Sequence, residues 1–330
     1  MRKHSHAHGR VRRRLLFAAA AAAAVAPFGA IAQGISGRPV RFLIAQTTAT
    51  TPDVLARLLA PRFQSRWNQP FFVENRVGAA GAIGMEALAK AAPDGHTVQI
   101  MPTSVLTLPL FFPNLAFDVL QSFQPISMVG NNNFALVAHS SVPAANMREF
   151  IAYAKAHPGM NYGSPGNGTY HHLYMEQLKL AAGIQLTHIP YKGSAQAFND
   201  LLGGQIATMF MPIHVAMAMA KDGRVKVLGG SMRERSPLFP DLPSIAEQGV
   251  PDFNGEPWFA MWGPAGMAPD IVARYNADLR AILAEPDMRE LLARQGVVAK
   301  TNTPEELGRA LHAEYDALAK VVRAANIKAG

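Results

Sequence analysis

Along residues 40 to 230, short apolar runs alternate with longer stretches in which apolar residues recur every three or four positions. The run Val40-Arg41-Phe42-Leu43-Ile44-Ala45 reads as a buried strand. Thr51-Pro52-Asp53 then opens a helix, with a capping residue, a proline at the first helical position and a carboxylate near the positive end of the dipole. Val54, Leu55, Leu58 and Leu59 form its apolar stripe. Phe71-Phe72-Val73-Glu74 is a second strand. The helix after Gly81 carries Met85, Leu88 and Ala89 and stops at Pro93-Asp94-Gly95, before a third strand at Thr97-Val98-Gln99-Ile100-Met101. The same pattern predicts strands at 161–163, 186–189, 206–211 and 225–228, with helices at 170–182 and 194–202. Near the C-terminus, Thr303-Pro304-Glu305-Glu306 forms a capping box, and Leu307, Leu311, Leu318 and Val322 mark one helix face. Such alternation implies α/β layers with largely parallel sheets.

In sheets of this kind ligands bind beyond the carboxyl ends of the strands. The residues just there are small and polar: Gln46-Thr47-Thr48-Ala49-Thr50, Gly78-Ala79-Ala80-Gly81, Thr103-Ser104, Ser164-Pro165-Gly166-Asn167-Gly168-Thr169 and Tyr191-Lys192-Gly193-Ser194. Each stretch leads into a helix, whose unpaired N–H groups and partial positive charge suit a carboxylate without any arginine. A single such loop is an ordinary turn, since turns also favour Gly, Ser, Thr and Asn. Five in one chain favour a binding site. Lys192 is the one cation in these loops, and the sequence leaves open whether it meets an anion or solvent.

Charge and composition narrow the class. The formal charge of +8 includes six positive and no negative residues in the first 32, so the remainder carries +2. No cluster of basic and aromatic residues suggests nucleic acid. Those first residues combine a basic start, an alanine-rich apolar run from Leu15 to about Pro27 and Ala30-Ile31-Ala32, a small-x-small cleavage site. This is the pattern of a secretory signal peptide, 1–32. The apolar run falls short of the ~20 residues that span a bilayer. Arg12-Arg13-Arg14-Leu15-Leu16 leaves the export route open between the general secretory path and the twin-arginine path. The absence of cysteine removes disulfides, thiolate catalysis and a lipid-modified N-terminal Cys.

Catalytic and cofactor motifs are missing. There is no HExxH or Cys/His spacing for a metal beside His171-His172, no G-x-S-x-G elbow, no G-x-G-x-x-G and no phosphate-binding G-x-x-x-x-G-K-[ST]. The reading is therefore no enzyme, no metal and no cofactor.

The segment Val73-Glu74-Asn75-Arg76-Val77-Gly78-Ala79-Ala80-Gly81-Ala82-Ile83-Gly84, followed by Ala91-Ala92-Pro93-Asp94-Gly95, resembles the Bug proteins. These are the extracytoplasmic solute receptors of tripartite tricarboxylate transporters, with a usual V-E-N-R-P-G-A-G-G-x-x-G and then A-P-D-G-Y/H-T. The resemblance continues through Asp53-Val54-Leu55-Ala56-Arg57, Tyr162 to Gly168 with His171, Ile189 to Gly193, Leu201 to Gln205, Phe239 to Gly249 and Trp258-Phe259. It implies a type II periplasmic-binding-protein fold: two α/β lobes, about 36–137 plus 255–330 and 138–254, with crossovers near Val137-Ala138-His139 and Glu256-Pro257-Trp258. It also implies a periplasmic monomer that holds a small organic carboxylate and passes it to inner-membrane transporter subunits. The rival roles are presentation to a sensor kinase and, more remotely, a secreted hydrolase.

By that resemblance Gln46, Thr47, Thr48, Gly78, Ala80, Gly81, Thr103 and Ser104 supply first-lobe contacts. Ser164, Gly166, Asn167, Gly168, Thr169, His171, Tyr191, Lys192 and Met211 supply second-lobe contacts. His171 either packs beneath its loop or reaches the ligand. The chain departs from the family where V-P-F-P-x-G-G-x-x-D is usual, having Gln46 for the aromatic and Ala49-Thr50 for both glycines. Ala80 replaces another glycine, and Met211 an acidic or amide residue. These changes imply an aromatic or amphipathic acid rather than a small amino acid or dicarboxylate.

Overall fold

The computed structural model describes residues 37–112 and 114–327, so the expected signal peptide lies outside the described residues. Four strands come first: β1 (Val40–Ile44), β2 (Phe71–Asn75), β3 (Thr97–Pro102) and β4 (Phe123–Asn132). Five more follow: β5 (Phe134–His139), β6 (Met160–Ser164), β7 (Leu186–Pro190), β8 (Thr208–Pro212) and β9 (Val225–Gly230). The chain then adds β10 (Trp258–Pro264) and β11 (Val297–Ala299). They form two sheets, ordered β11-β4-β10-β3-β1-β2 and β7-β6-β8-β5-β9. Each sheet with its helices makes one lobe.

Both sheets are mixed. β1 runs parallel to β2 and β3, and β6 parallel to β7 and β8, as strand–helix alternation requires. Antiparallel members stand at the passages between sheets, β10 between β3 and β4 and β5 between β8 and β9, and the short edge strand β11 is antiparallel to β4. The first passage is a single residue, Asn133, between the end of β4 and the start of β5. The crossover expected at Val137–His139 therefore falls inside β5, because Phe134 is already paired with Pro212 of β8. The return passage runs alongside, with the Asn132 N–H donating to the Pro257 carbonyl at 2.7 Å.

Helices α1 (Thr51–Trp67) and α2 (Ala82–Ala89) follow β1 and β2. The start of α1 is set by Thr50, in extended backbone, and by Pro52. Asn68 ends it in the left-handed conformation, donating its N–H back to the Gln64 carbonyl. A four-residue helix, α3 (Leu108–Phe111), follows β3. The second lobe carries α4 (Met147–Ala156), α5 (Tyr170–Ala182), α6 (Ser194–Leu202) and α7 (Ile213–Lys221). The C-terminal part adds α8 (Pro269–Ala284), α9 (Pro286–Arg294) and α10 (Pro304–Ala324). The Thr303–Glu306 capping box forms in both directions, at 3.2 and 2.9 Å. None of these helices is long and apolar enough to cross a membrane.

The period of two along a strand divides the second lobe's core. Phe134, Leu136 and Phe210 pack on one face with Tyr162 and Tyr174, while Ala135, Val137, Met209 and Met211 pack on the other with Ala197 and Leu201. In the first lobe Phe42, Phe63, Trp67, Phe71 and Tyr275 form an aromatic cluster with centroids 4.6–5.9 Å apart. Trp67 Nε1 donates to Asp278 at 2.6 Å and the Tyr275 hydroxyl to the Gly95 carbonyl at 2.6 Å, which satisfies the polar tips.

The close seat of α2 on β1 depends on Gly84. A Cβ there would lie 2.6 Å from the Ala45 Cα and 2.9 Å from the Arg76 carbonyl oxygen, both backbone atoms. Gly84→Ala should therefore push α2 off the sheet and cost about 1–3 kcal/mol, the usual range for overpacking. A lowered urea midpoint would show this; an unchanged midpoint would mean that α2 is free to shift.

Candidate functional site

The carboxyl ends of β1, β2 and β3 in one sheet and of β6 and β7 in the other open on a single cavity of about 820 Å³. The first lobe lines it with Ala45, Gln46, Thr47 and Thr50 after β1 and Val77, Gly78, Ala80 and Gly81 after β2. After β3 come Ser104, Thr107, Leu108, Phe111 and Phe112. The second lobe adds Pro165 to Thr169 after β6 and Pro190, Tyr191 and Lys192 after β7. Lys192 is the only cation among these residues, and no carboxylate is present.

The first loop is shaped from below by Asp53, which is 1% exposed. Its carboxylate accepts from Arg57 Nε and Nη2 at 3.0 and 2.9 Å, from Asn75 Nδ2 at 2.9 Å and from the Ala49 N–H at 3.0 Å. Burial alone would raise the Asp53 pKa; the bonds from Arg57, Asn75 and Ala49 outweigh it and hold the group below its ordinary value. Asn75 also donates to the Gln46 carbonyl at 3.1 Å, so the loops after β1 and β2 are fixed to each other. Above this network the Gln46 amide oxygen is buried without a partner.

Three alanines in these loops hold left-handed backbone: Ala49 at φ 63°, Ala79 at φ 47° and Ala80 at φ 54°. The left-handed region costs an L-residue roughly 1–2 kcal/mol, so the loops are held by their surroundings rather than by preference.

The loop after β3 meets the other lobe. Thr103 is fully buried, and its hydroxyl lies 2.6 Å from the Tyr170 hydroxyl at the start of α5. The Ser104 N–H donates to the same Tyr170 oxygen at 2.8 Å. Thr103 also accepts from the Trp258 N–H and donates to the Trp258 carbonyl, each at 3.2 Å. Burial raises the Tyr170 pKa, so the bridge is made by a neutral phenol. Nearer the mouth, Phe111 lies against Gly168: a Cβ at 168 would come 2.7 Å from the ring.

In the second lobe the loop 165–169 rests on stacked rings. His172 stacks on His188 at 3.8 Å and His188 on Tyr162 at 4.8 Å. His172 Nδ1 accepts the Gly168 N–H at 3.2 Å, and Ser164 Oγ accepts the Gly166 N–H at 3.2 Å while contacting His188 Nε2 at 2.7 Å. Thr169 Oγ1 donates to the Gly166 carbonyl at 2.8 Å. The Asn167 N–H is left without a partner among the described residues.

Of the residues singled out from sequence, Gln46, Thr47, Gly78, Ala80, Gly81, Ser104, Gly166, Asn167, Gly168, Thr169, Tyr191 and Lys192 come together around the cavity. Five do not. Thr48 sits exposed outside the lining, and Thr103 is spent on Tyr170 and Trp258. Ser164 is fully buried and holds the loop. His171 points the other way, edge-on to Phe134 at 4.8 Å with both ring nitrogens buried and unpartnered, while its neighbour His172 sits beneath the loop. Met211 faces the helix side of the second sheet among Ala197, Leu201 and Ile213. Tyr191 offers its ring, because its hydroxyl donates to Asp200 at 2.8 Å. Leu108, Phe111 and Phe112 were not foreseen; a run of apolar residues after β3 too long for a turn is the signal that could have found them.

Burial pushes the pKa of His172 down to about 4, with Lys179 adding to the effect, and those of His171 and His188 down to about 3. Burial, then the charge of Glu256, lifts Glu314 on α10 to about 7. For the imidazoles the unfolded chain binds more protons below its ordinary value, so their contribution is full above about pH 6.5 and falls as pH drops. Glu314 acts oppositely, stabilising at low pH and losing that contribution as pH rises toward 7. With these histidines, and His214 lowered likewise by burial, set against Glu314, the thermal midpoint should fall from pH 7 to pH 5, and Glu314→Gln should steepen the fall. A midpoint flat across this range would contradict the neutral stack.

Residues 55–327 match the model of the tripartite tricarboxylate transporter family receptors. The chain is 33% identical over 294 residues to Protein BugT of Bordetella pertussis, covering 88% of this chain and 90% of that protein. It is 34% identical over 272 residues to a UPF0065 protein in the gbd 5' region of Cupriavidus necator, covering 81% of each. Among solved structures, R. palustris Rpa4515 with adipate superimposes with a TM-score of 0.78 at 29% identity, over 89% of this chain and 99% of that one. MatC from Rhodopseudomonas palustris with bound malate gives 0.73 at 27%, over 86% and 99%. The periplasmic binding protein BugD gives 0.74 at 30%, over 88% and 98%. With its two mixed sheets meeting at one cavity, the chain belongs to the tripartite tricarboxylate transporter receptors, the Bug-type periplasmic solute-binding proteins.

Proposed function

We propose that this protein captures a small organic carboxylate between its two lobes and delivers it, without chemistry, to the inner-membrane subunits of a tripartite tricarboxylate-type transporter. The observation that carries the reading is the shared cavity: strand ends of both sheets wall it, with Lys192 its only charged residue. The lobes are the bodies built on the two sheets, and the passages at Asn133 and between β9 and β10 are the hinge. A ligand touching both lobes favours the closed form by its differential affinity, and the passages absorb the rotation.

The carboxylate is held by Lys192, by the Asn167 N–H and by the starts of α2 and α5, whose dipoles favour negative charge. Adipate on Rpa4515 and malate on MatC are both carboxylates, which supports the class. A hydrolytic role finds little support. Ser164 and His188 are within hydrogen-bond distance, but Ser164 is fully buried behind the loop and its hydroxyl is engaged with Gly166.

Native mass spectrometry of protein purified without refolding should show a copurified carboxylate. Small-angle scattering should show compaction when that carboxylate is added back. Lys192→Ala should weaken its binding about two- to fivefold by calorimetry, the modest effect proper to an exposed cation. If no carboxylate in a broad panel raises the melting temperature, the reading fails.

A further inference from the structure

The cavity does not end at Phe112. That ring also lines two neighbouring concavities. One, of about 330 Å³, is walled by Ala79, Ala82, Ile83, Leu115 and Phe117. The other, of about 280 Å³, lies beyond it against Pro109, Val119 and Tyr315. Between the main cavity and the first concavity stand two side chains. Ile83 lies over Gly78, so close that a Cβ at Gly78 would fall 2.5 Å from Ile83 Cδ1. Phe112 closes the rest. Ile83 is 51% and Phe112 37% exposed, and both belong to the few large apolar side chains left so exposed among the described residues. Exposed side chains change rotamer in nanoseconds or less, so this partition is a movable one.

The charges are also unequal. The main cavity holds Lys192, whereas the first concavity has no cation and carries Glu86, itself paired with Lys90. A ligand with one carboxylate at the Lys192 end and an apolar remainder fits both compartments. A second carboxylate at the far end would meet mostly apolar walls, the amide of Asn114 and Glu86, whose charge Lys90 already engages, so desolvating it there is poorly compensated.

We infer that the concavity beyond Phe112 is a second subsite, taking the apolar tail of a straight-chain or aryl-alkyl monocarboxylate, with Ile83 and Phe112 as the residues that select tail length. This rests on the proposed capture of a carboxylate in the main cavity and deepens it. Small dicarboxylates lie outside this class.

Calorimetry with hexanoate, octanoate, decanoate and phenylbutanoate, and with suberate as the dicarboxylate matched in length to octanoate, tests it. Affinity should rise from hexanoate to decanoate by up to about fourfold per methylene, the worth of burying each CH₂. Suberate should bind at least tenfold more weakly than octanoate. Ile83→Asn, a surface change that should leave the fold intact, should flatten the chain-length dependence, bringing the ratio of decanoate to hexanoate affinity toward one. Lys192→Ala should weaken the short and the long acids by the same factor. Affinity independent of chain length, or suberate equal to octanoate, overturns the subsite and leaves carboxylate capture standing. Failure of every acid, short or long, to bind takes down both.

Discussion

The buried Asp53 carboxylate organises one side of the binding cleft. It gathers two bonds from Arg57, one from Asn75 and one from the backbone of Ala49, and through Asn75 it reaches the Gln46 carbonyl. A buried charge tolerates nothing less, because an unpaired one costs several kcal/mol. The consequence lies in what the network removes. The Arg57 guanidinium is spent on Asp53 and does not line the cavity. In the proposed capture of a carboxylate, recognition is left to one exposed lysine, a few amides and the starts of helices.

The same economy explains the strained loops. Ala49, Ala79 and Ala80 keep a conformation that glycine adopts without penalty. The hydrogen bonds and packing beneath them must outweigh that strain. Across the cleft the loop 165–169 is held by other means, a column of neutral rings and a buried serine hydroxyl. Both walls are thus set before any ligand arrives, which lowers the entropy lost on binding.

The parallel strands were legible because each is a short apolar run bounded by turn residues, and the loops after them followed from the rule that ligands sit at strand ends. Of the antiparallel strands only β9 was; β4, β5, β10 and β11 were not. β4 carries Gln124, Pro125, Ser127 and two asparagines yet is buried along most of its length, and β10 is buried throughout, so neither shows alternation. Side-chain direction was the harder matter. His171 and His172 are neighbours, and only the angle at which α5 meets the sheet decides which one lies beneath the loop. Met211 lies in a strand whose residues are buried on both faces, so pattern alone could not assign its side. Phe111 and Phe112 lie beyond the loops that the strand-end rule singles out, and only the fold brings them to the mouth.

The contact of Phe111 with Gly168 has a consequence for affinity that no ligand contact reveals. It is where the lobes meet at the mouth, and the missing side chain at 168 sets how far they can approach. Glycine here works as a spacer of zero thickness. Under the proposed closure, a bulkier residue would press on Phe111 and also strain the left-handed backbone at 168, and the affinity would drop by the lost share of closed molecules.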